Sequence, residues 1–352
     1  MTSLHEPTGA PLTDSVALVM PAHRGGPDLA ASVQSILALD PPPDEFVIVV
    51  DGGDPDVSRG LDPSITVVNV AHGGPGAARN AGVRSSQGDI VLFIDSDIVV
   101  PSDLVGAVRA ALAADGAEMD AIIGSYDDRP AATTTVSQFR NLLHHWTHQQ
   151  AAGPGHTFWG ACGAIRRSAF EAVGGFDERY TDATIEDIEL GERLTAAGHR
   201  IDVVPSIQVT HLKRWTLTSM IHTDITKRGV PWTRLMLAES SMSDDLNTTR
   251  RARITVAATG AMAAMAMASL AVASVRRPAA ILAAVLAAVV SWRDRRFLTF
   301  LADRRSVAFA VRSAPLMWVH HLCAGIAFAW AVGTWPWHRR RDAARRDAEA
   351  RG

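Results

Sequence analysis

Cysteine is nearly absent from this 352-residue chain, which holds only Cys162 and Cys323. Neither has a neighbouring partner in sequence, which excludes a disulfide scaffold and points to a reducing compartment. The N-terminus lacks an apolar run and a basic start, so residues 1–14 read as a flexible tail rather than a signal peptide. No repeat or low-complexity tract precedes the alanine-rich C-terminal third. Neither charge is in excess, with 34 Lys and Arg against 37 Asp and Glu, and 47% of residues are hydrophobic. That composition excludes disordered and collagen-like chains.

The near-neutral total hides a division. Residues 1–249 carry 17 basic and 32 acidic side chains, whereas residues 250–352 carry 17 and 5. The acidic part argues against nucleic acid as a partner. The basic part contains the long apolar runs. Ile254 to Val275 has no charge over 22 residues, about 33 Å of helix against a hydrocarbon core of about 30 Å. A buried alanine-rich core helix is the alternative. Beyond Arg276-Arg277-Pro278, a second run from Ala279 to Trp292 has only 14 residues. It would span by thinning the bilayer or recruiting its flanks. A third run, about 314–335, contains His320 and His321, and Trp330, Trp335 and Trp337 near its end suit the headgroup level.

Arg250, Arg251 and Arg253 precede the first run, and Arg293, Arg295 and Arg296 follow the second. Positive residues favour the cytoplasmic side, so these two runs read as a hairpin with both ends inside. The third run conflicts with this, because Arg304, Arg305 and Arg312 precede it and Arg339, Arg340, Arg341, Arg345 and Arg346 follow it. Either five arginines lie outside, or the segment bends back at Pro315 or Gly325 and lies in the interface. Residues 250–337 therefore read as a membrane region and residues 338–352 as a basic cytoplasmic tail.

The acidic part alternates short apolar runs with helical stretches. Residues 16–20, 46–50, 65–70 and 90–94 read as strands buried on both faces. Residues 29–39, 76–86 and 102–114 read as the helices between them, an order that predicts an α/β fold with a mostly parallel sheet and right-handed crossovers. Ligands in such folds bind beyond the carboxyl ends of the strands. Here those ends are Pro21-Ala22-His23-Arg24, Asp51-Gly52-Gly53-Asp54 and Asp95-Ser96-Asp97. Carboxylates at the end of a buried sheet are costly without a cation or hydrogen-bonding ligand.

Six ordered segments, VALVMPAHR, FVIVVDGGDPD, GPGAARNAG, FIDSD, VGGFDE and IEDIELGERL, resemble glycosyltransferase family 2 over about residues 15–237. The resemblance implies a GT-A fold, Rossmann-like with flanking helices, over residues 15–249, followed by the α-helical membrane region. It also implies transfer of a sugar from a UDP- or GDP-linked donor.

Within the resemblance, Asp95-Ser96-Asp97 takes the place of the family's DxD motif. Alternate residues of an extended segment point the same way, so Asp95 and Asp97 suit Mg2+ or Mn2+ beside a diphosphate. Asp97 as a helix N-cap is the plainer alternative. Asp51 corresponds to the residue that contacts the donor base, although Asp-Gly-Gly-Asp is also a natural turn. In the glycine-rich turn of residues 73–76, Arg79 would lie in the first helical turn, reaching a phosphate or holding the DxD loop. Helix N-termini favour anions, so a diphosphate near this turn is expected.

Glu186-Asp187 corresponds to the pair whose Asp is the general base, which assigns that role to Asp187. A simple helix-start acid is the alternative. Gly175, Phe176 and Asp177 match an acceptor-side turn, and Glu186 falls on the same side. His211-Leu212-Lys213-Arg214-Trp215, after a strand expected at 207–210, resembles a QxxRW signature with His replacing Gln. It implies diphosphate or metal contact by His211, phosphate contact by Arg214, and stacking of Trp215 on acceptor sugar or lipid. His144, His145 and His148 read as surface residues.

His23-Arg24 departs from the Tyr-Asn common in the family after Pro21-Ala22, which turns Arg24 toward a phosphate and leaves the base contact open. The C-terminal runs are too few for a polysaccharide channel, which argues against a processive synthase. The expected enzyme is inverting and metal-dependent. It would act on a lipid-linked or envelope glycan acceptor at the cytoplasmic face of the cell membrane, held to membrane lipids by its arginines, with no nucleic acid partner. A nucleotidylyltransferase on a similar sheet and a non-catalytic membrane scaffold are the alternatives.

Overall fold

The computed structural model describes residues 14–113, 119–239 and 250–349. Two compact units divide them. The first comprises residues up to Asp127 and His148–Leu212, and the second Asp128–Thr147 and the residues from Lys213 onward.

The first unit is α/β. Its strands are β1 (Val16–Ala22), β2 (Glu45–Asp51), β3 (Thr66–Val70), β4 (Ile90–Ile94), β5 (Ile98–Val99), β6 (Ala121–Tyr126), β7 (Gly153–Gly155), β8 (Cys162–Arg166) and β9 (Ile201–His211). They form one sheet in the order β3-β2-β1-β4-β8-β6-β9-β5, with β7 paired to β9. The first four are mutually parallel, and β8 runs antiparallel to β4 and β6. Helices α1 (Pro27–Leu37), α2 (Pro55–Ser58), α3 (Pro75–Arg84) and α4 (Leu104–Leu112) punctuate the parallel half. The helix α5 (Thr135–Gln150) is followed by α6 (Arg167–Ala172) and α7 (Glu186–Ala196).

The parallel strands form because their residues are apolar on both faces. All five residues of Val16–Met20 are fully buried, as are Val47–Val50. Each such side chain contributes about 1.5–3 kcal/mol by leaving water. The strand expected at 207–210 is the last third of a longer one. Pro205 obscures the rest, because proline cannot donate to a ladder. The pairing of β6 with β9 accommodates it by a register shift between Ile123 and Ser125, which face Val203 and Gln208 respectively.

One consequence positions the functional residues. His23 follows β1, Asp51 ends β2 and Asp95 follows β4, all on the carboxyl side of parallel strands. Antiparallel β8 begins at that same end, where Ile94 pairs with Cys162 and the Asp95 amide donates to the Ala161 carbonyl at 3.3 Å.

The second unit is helical. It holds the first part of α5, then α8 (Leu217–His222), a π-turn over Thr223–Gly229, α9 (Val230–Glu239), α10 (Arg250–Ala271), α11 (Arg276–Arg293), α12 (Arg295–Arg304) and α13 (Val307–Glu349). Three segments, Arg250–Ala271, Ala273–Arg293 and Val307–Arg340, are long and apolar enough to cross a membrane. Leu270, Ile281, Val285 and Val311 stand exposed along them. Arg276 and Arg277, which lie between the two apolar runs, open α11, and the second segment extends over Ala273–Arg293. The third run, left open between a crossing and a bend at Pro315 or Gly325, is one helix that continues through Pro315 and Pro336.

Outside those segments, Asp224 of the π-turn binds Arg140 at 2.7 Å and His320 at 2.8 Å. Burial would raise its carboxyl, but Arg140, His320 and Arg228 overcome that and hold it at about 2.

Candidate active site

Arg79 organises one constellation. It is the fifth residue of α3, in the second helical turn rather than the first, and is 3% exposed. Its Nη2 donates to Asp95 Oδ1 at 2.6 Å and its Nη1 to Glu186 Oε1 at 3.2 Å. Burial works against the charge on Arg79, but Asp95, Glu186 and Asp187 more than offset it and raise its pKa. The guanidinium rests on Gly160 and stands 5.3 Å from the Phe176 ring. Three segments distant in sequence therefore meet on one side chain.

Asp187 lies half-buried at the start of α7. Its Oδ2 accepts from the Gly160 amide at 3.3 Å and its Oδ1 from the Ile188 amide at 2.9 Å. Glu186 is buried and takes a second bond from the Thr184 amide at 2.8 Å. Burial raises the Asp95 carboxyl above its ordinary value, Arg79 opposes this, and Asp97 and Glu186 add to it.

Asp97 faces His211, whose Nε2 lies 3.4 Å from Asp97 Oδ2. The two are set by the backbone, because Leu212 donates to the Asp97 carbonyl at 2.9 Å and β5 pairs with the end of β9. The His211 ring stacks on Tyr126 at 4.3 Å, Tyr126 meets Trp159 edge-on at 4.8 Å, and His148 meets Trp159 at 5.1 Å. Ser96 contributes its carbonyl, which accepts from Ser32 Oγ at 3.0 Å. Asp95, Asp97, Glu186 and Asp187 thus set four carboxylates against one guanidinium and one imidazole. That balance fits a divalent cation with oxygen ligands.

A second constellation surrounds Asp51. Its Oδ1 accepts from the Gly73 amide at 2.8 Å, and its Oδ2 from Gly74 at 3.2 Å and His72 Nδ1 at 2.9 Å. The glycine-rich turn therefore gives these two amides to Asp51. Gly74 has φ +87°, and a Cβ there would press on the Thr181 backbone, so glycine is required. His23 Nδ1 donates to the Asp51 carbonyl at 2.7 Å. Pro21 lies within β1, and His23 and Arg24 are exposed beyond it.

Several expected contacts are placed otherwise. Phe176 is not a surface contact for an acceptor. It is a core ring packed against Phe93, Phe158 and Phe170. The Gly175-Phe176-Asp177 turn is held by Asn80, which accepts from the Phe176 amide and donates to its carbonyl, both at 2.9 Å. Asp177 pairs with Arg179 at 2.6 Å.

Trp215 belongs to the second unit and is buried there, with its backbone amide bonded to Ser137 Oγ at 2.8 Å. Its ring carries Lys213 at 4.5 Å and Arg140 at 5.5 Å. Arg214, in the same unit, is exposed. His145 and His148 are buried rather than on the surface, and His148 Nδ1 donates to the Gly124 carbonyl at 2.8 Å.

Residues the motifs did not single out are Gly160, His72, Tyr126 and Asn80. The last lies inside the glycine-rich segment and His72 directly before it, so both were readable as flanks of that turn.

Residues 17–174 match the model of "Glycosyl transferase family 2", and residues 140–216 that of the "N-terminal domain of galactosyltransferase". An N-acetylglucosaminyl-diphospho-decaprenol L-rhamnosyltransferase of Mycobacterium tuberculosis is 40% identical over 95 residues, 27% of this chain and 28% of that protein. The pre-mycofactocin glycosyltransferase of the same organism is 28% identical over 232 residues, 61% of this chain and 46% of that one. The chain thus spans less than half the length of these relatives. A mannosyltransferase from Pyrobaculum calidifontis, solved with GDP-Man and Mn2+, shares the fold with a TM-score of 0.55 at 18% identity, covering 90% of this chain and 87% of that one. With a GT-A sheet and those segments assembled near its carboxyl ends, the chain is similar to glycosyltransferase family 2 over residues 17–174.

Proposed function

We propose that the chain is an inverting, metal-dependent glycosyltransferase. It moves one sugar from a UDP- or GDP-linked donor to a hydroxyl of a lipid-linked or envelope glycan acceptor at the cytoplasmic face of the cell membrane. The observation that carries this reading is the bridge by Arg79 between Asp95 and Glu186, with Asp187 on the adjoining Gly160 amide.

The donor base belongs at Asp51 and the diphosphate at Asp95 and Asp97. Two strand spacings separate β2 from β4, about 10 Å, which suits an extended nucleoside diphosphate. Asp95, Asp97 and His211 would hold Mg2+ or Mn2+, which supplies the positive charge that offsets the departing diphosphate. Asp187 accepts the proton of the acceptor hydroxyl as that oxygen bonds to the anomeric carbon and the bond to the diphosphate breaks. A single in-line displacement inverts the anomeric centre. Arg79 keeps Asp95 in place and holds Glu186, and with it the start of α7, at the reacting atoms.

The rhamnosyltransferase relative, named for a decaprenyl-diphosphate acceptor, supports a polyprenyl-linked acceptor here. The arginines at residues 250–253, 293–296 and 339–346 favour anionic lipid headgroups, each near the surface contributing about 1 kcal/mol. The test is full-chain protein in detergent with Mn2+ and a panel of nucleotide sugars. Release of nucleoside diphosphate by the wild type and its loss in Asp187→Asn support the reading. Wild-type rates in Asp187→Asn remove the base, and release of pyrophosphate instead would make the enzyme a nucleotidylyltransferase.

A further inference from the structure

We propose that His23, Asp51 and His72 form a second metal site, for a transition ion of the Zn2+ class, which blocks the donor base when filled. Among the described residues these three make up a group whose ligating atoms all lie within 4.8 Å of one another. They come from three successive parallel strands: His23 just after β1, Asp51 at the end of β2 and His72 just after β3. Both imidazoles are oriented by the same residue. His23 Nδ1–H donates to the Asp51 carbonyl and His72 Nδ1–H to the Asp51 carboxylate. An ion would displace these Nδ1 protons and take Nδ1 of each ring together with an Asp51 carboxylate oxygen, so the nitrogens already turned toward Asp51 are the ligands.

The rings stand side by side, with centroids 4.9 Å apart and planes tilted by 42°. Gly52 lies between them with φ +96°, and a Cβ there would sit 3.4 Å from both residues. Asp51 Oδ1 accepts only the Gly73 amide among the described contacts, so it retains a lone pair. Two imidazole nitrogens and one carboxylate oxygen suit Zn2+ rather than Mg2+, and three protein ligands leave an open fourth position. Bonds of about 2.0–2.1 Å to a tetrahedral ion place ligand atoms about 3.4 Å apart. Both rings are exposed, so small side-chain rotations close that gap.

This inference rests on the proposed function for its consequence, because the ion would occupy the Asp51 oxygen assigned to the base. The site itself does not depend on that reading. Zinc binding by the full chain in detergent is measured by equilibrium dialysis for wild type, His23→Ala, His72→Ala and Asp95→Ala/Asp97→Ala, with circular dichroism to confirm folding. The expected result is one zinc lost in each histidine variant and retained in the double aspartate variant. Co2+ substitution should give a visible absorption band in wild type that is absent from His72→Ala. Equal zinc content in wild type and both histidine variants overturns the site, as does loss confined to the double aspartate variant. In the kinetic arm, one equivalent of Zn2+ over saturating Mn2+ should raise the wild-type donor KM at least about tenfold with kcat retained. His72→Ala should show no such rise relative to its own zinc-free value, and an equal rise in both overturns the blocking role. Absence of any transferase activity would sink the proposed function while leaving the dialysis result to stand or fall separately.

Discussion

Gly160 is the surface on which Arg79 lies. A Cβ at residue 160 would stand 2.7 Å from the guanidinium carbon and 2.8 and 3.0 Å from its two terminal nitrogens. The same glycine's amide reaches Asp187, so one residue without a side chain sets the spacing between the arginine and the assigned base. Gly160→Ala should therefore displace Arg79 from Asp95 and Glu186. Overpacking of this kind costs about 1–3 kcal/mol. Activity should fall more than stability, because the carboxylates lose their common partner. Turnover and thermal unfolding measured on one preparation check this. Near-wild-type turnover would mean that the bridge is dispensable.

Removing the guanidinium tests the same bridge from the other side. Arg79→Ala leaves buried Glu186 without its cation and with only the Thr184 amide as partner, and breaking a buried pair costs about 3–5 kcal/mol. Arg79→Lys retains the charge, but a single ammonium cannot reproduce the fork that reaches Asp95 and Glu186 together. The lysine variant should fold with a smaller loss of melting temperature and still turn over at least about tenfold more slowly, a difference of about 1.4 kcal/mol in the barrier. A lysine variant with full activity would reduce Arg79 to a source of charge alone.

Asn80 connects the glycine-rich segment to the turn at Gly175. Its side chain is buried and satisfies both backbone groups of Phe176, with a further bond to Glu178 at 2.9 Å. A Cβ at Gly175, which has φ +73°, would stand 2.7 Å from Asn80 Oδ1. Asn80→Ala leaves buried groups unpaired, at about 1–3 kcal/mol. Asn80→Asp should be worse than its shape suggests, since it loses both donors and sets a carboxylate against Glu178. Chemical denaturation of the three proteins gives the order wild type, alanine, aspartate if the turn depends on donation from this amide.

The parallel half of the sheet was readable because its strands are apolar on both faces and each ends at a polar turn. The runs 16–20, 46–50 and 90–94 needed only composition and period, and they fall within β1, β2 and β4. The residues at their ends were readable for the same reason, since a charge directly after a buried strand has few structural uses. The antiparallel partners were not readable. β8 is five residues, Cys-Gly-Ala-Ile-Arg, with small side chains that carry no clear period. Gly160 sits before it, and its role depends on Arg79, which arrives from another segment. Trp215 and Phe176 misled because an aromatic beside a motif resembles a binding platform, whereas their backbones place them in cores. His148 misled differently, read as a surface residue although it is buried, since helical spacing says nothing about which face is covered.

Cys162 should be inert in the native protein. It is buried at the start of β8, and desolvation, with the nearby Asp95 charge, pushes its thiol up to about 12. At pH 8 the thiolate fraction is then about one in ten thousand. Alkylation followed by mass spectrometry should leave Cys162 unmodified at pH 8 and modify it fully in denaturant. Native labelling at Cys162 would show that this end of the sheet opens far more readily than its packing implies.

Asp224 gives the helical unit an acid limit whose sign is fixed by its partners. Its carboxyl sits at about 2, against an ordinary value of 3.8. A depressed folded value means that its contribution is fully present above the unfolded value and is lost as pH falls through the folded one. A shift of nearly two units corresponds to about 2 kcal/mol. Ionisation of Asp224 itself should therefore leave stability unchanged between pH 8 and pH 5, and its loss should begin below about pH 4. Asp224→Asn removes the charge that Arg140 and His320 surround, so the variant should be less stable at neutral pH and lose less on acidification. Unfolding of wild type and variant in detergent at pH 7, 5, 4 and 3 compares the two slopes. Parallel curves between pH 4 and 3 would show that Asp224 is not the group that Arg140 and His320 hold ionised.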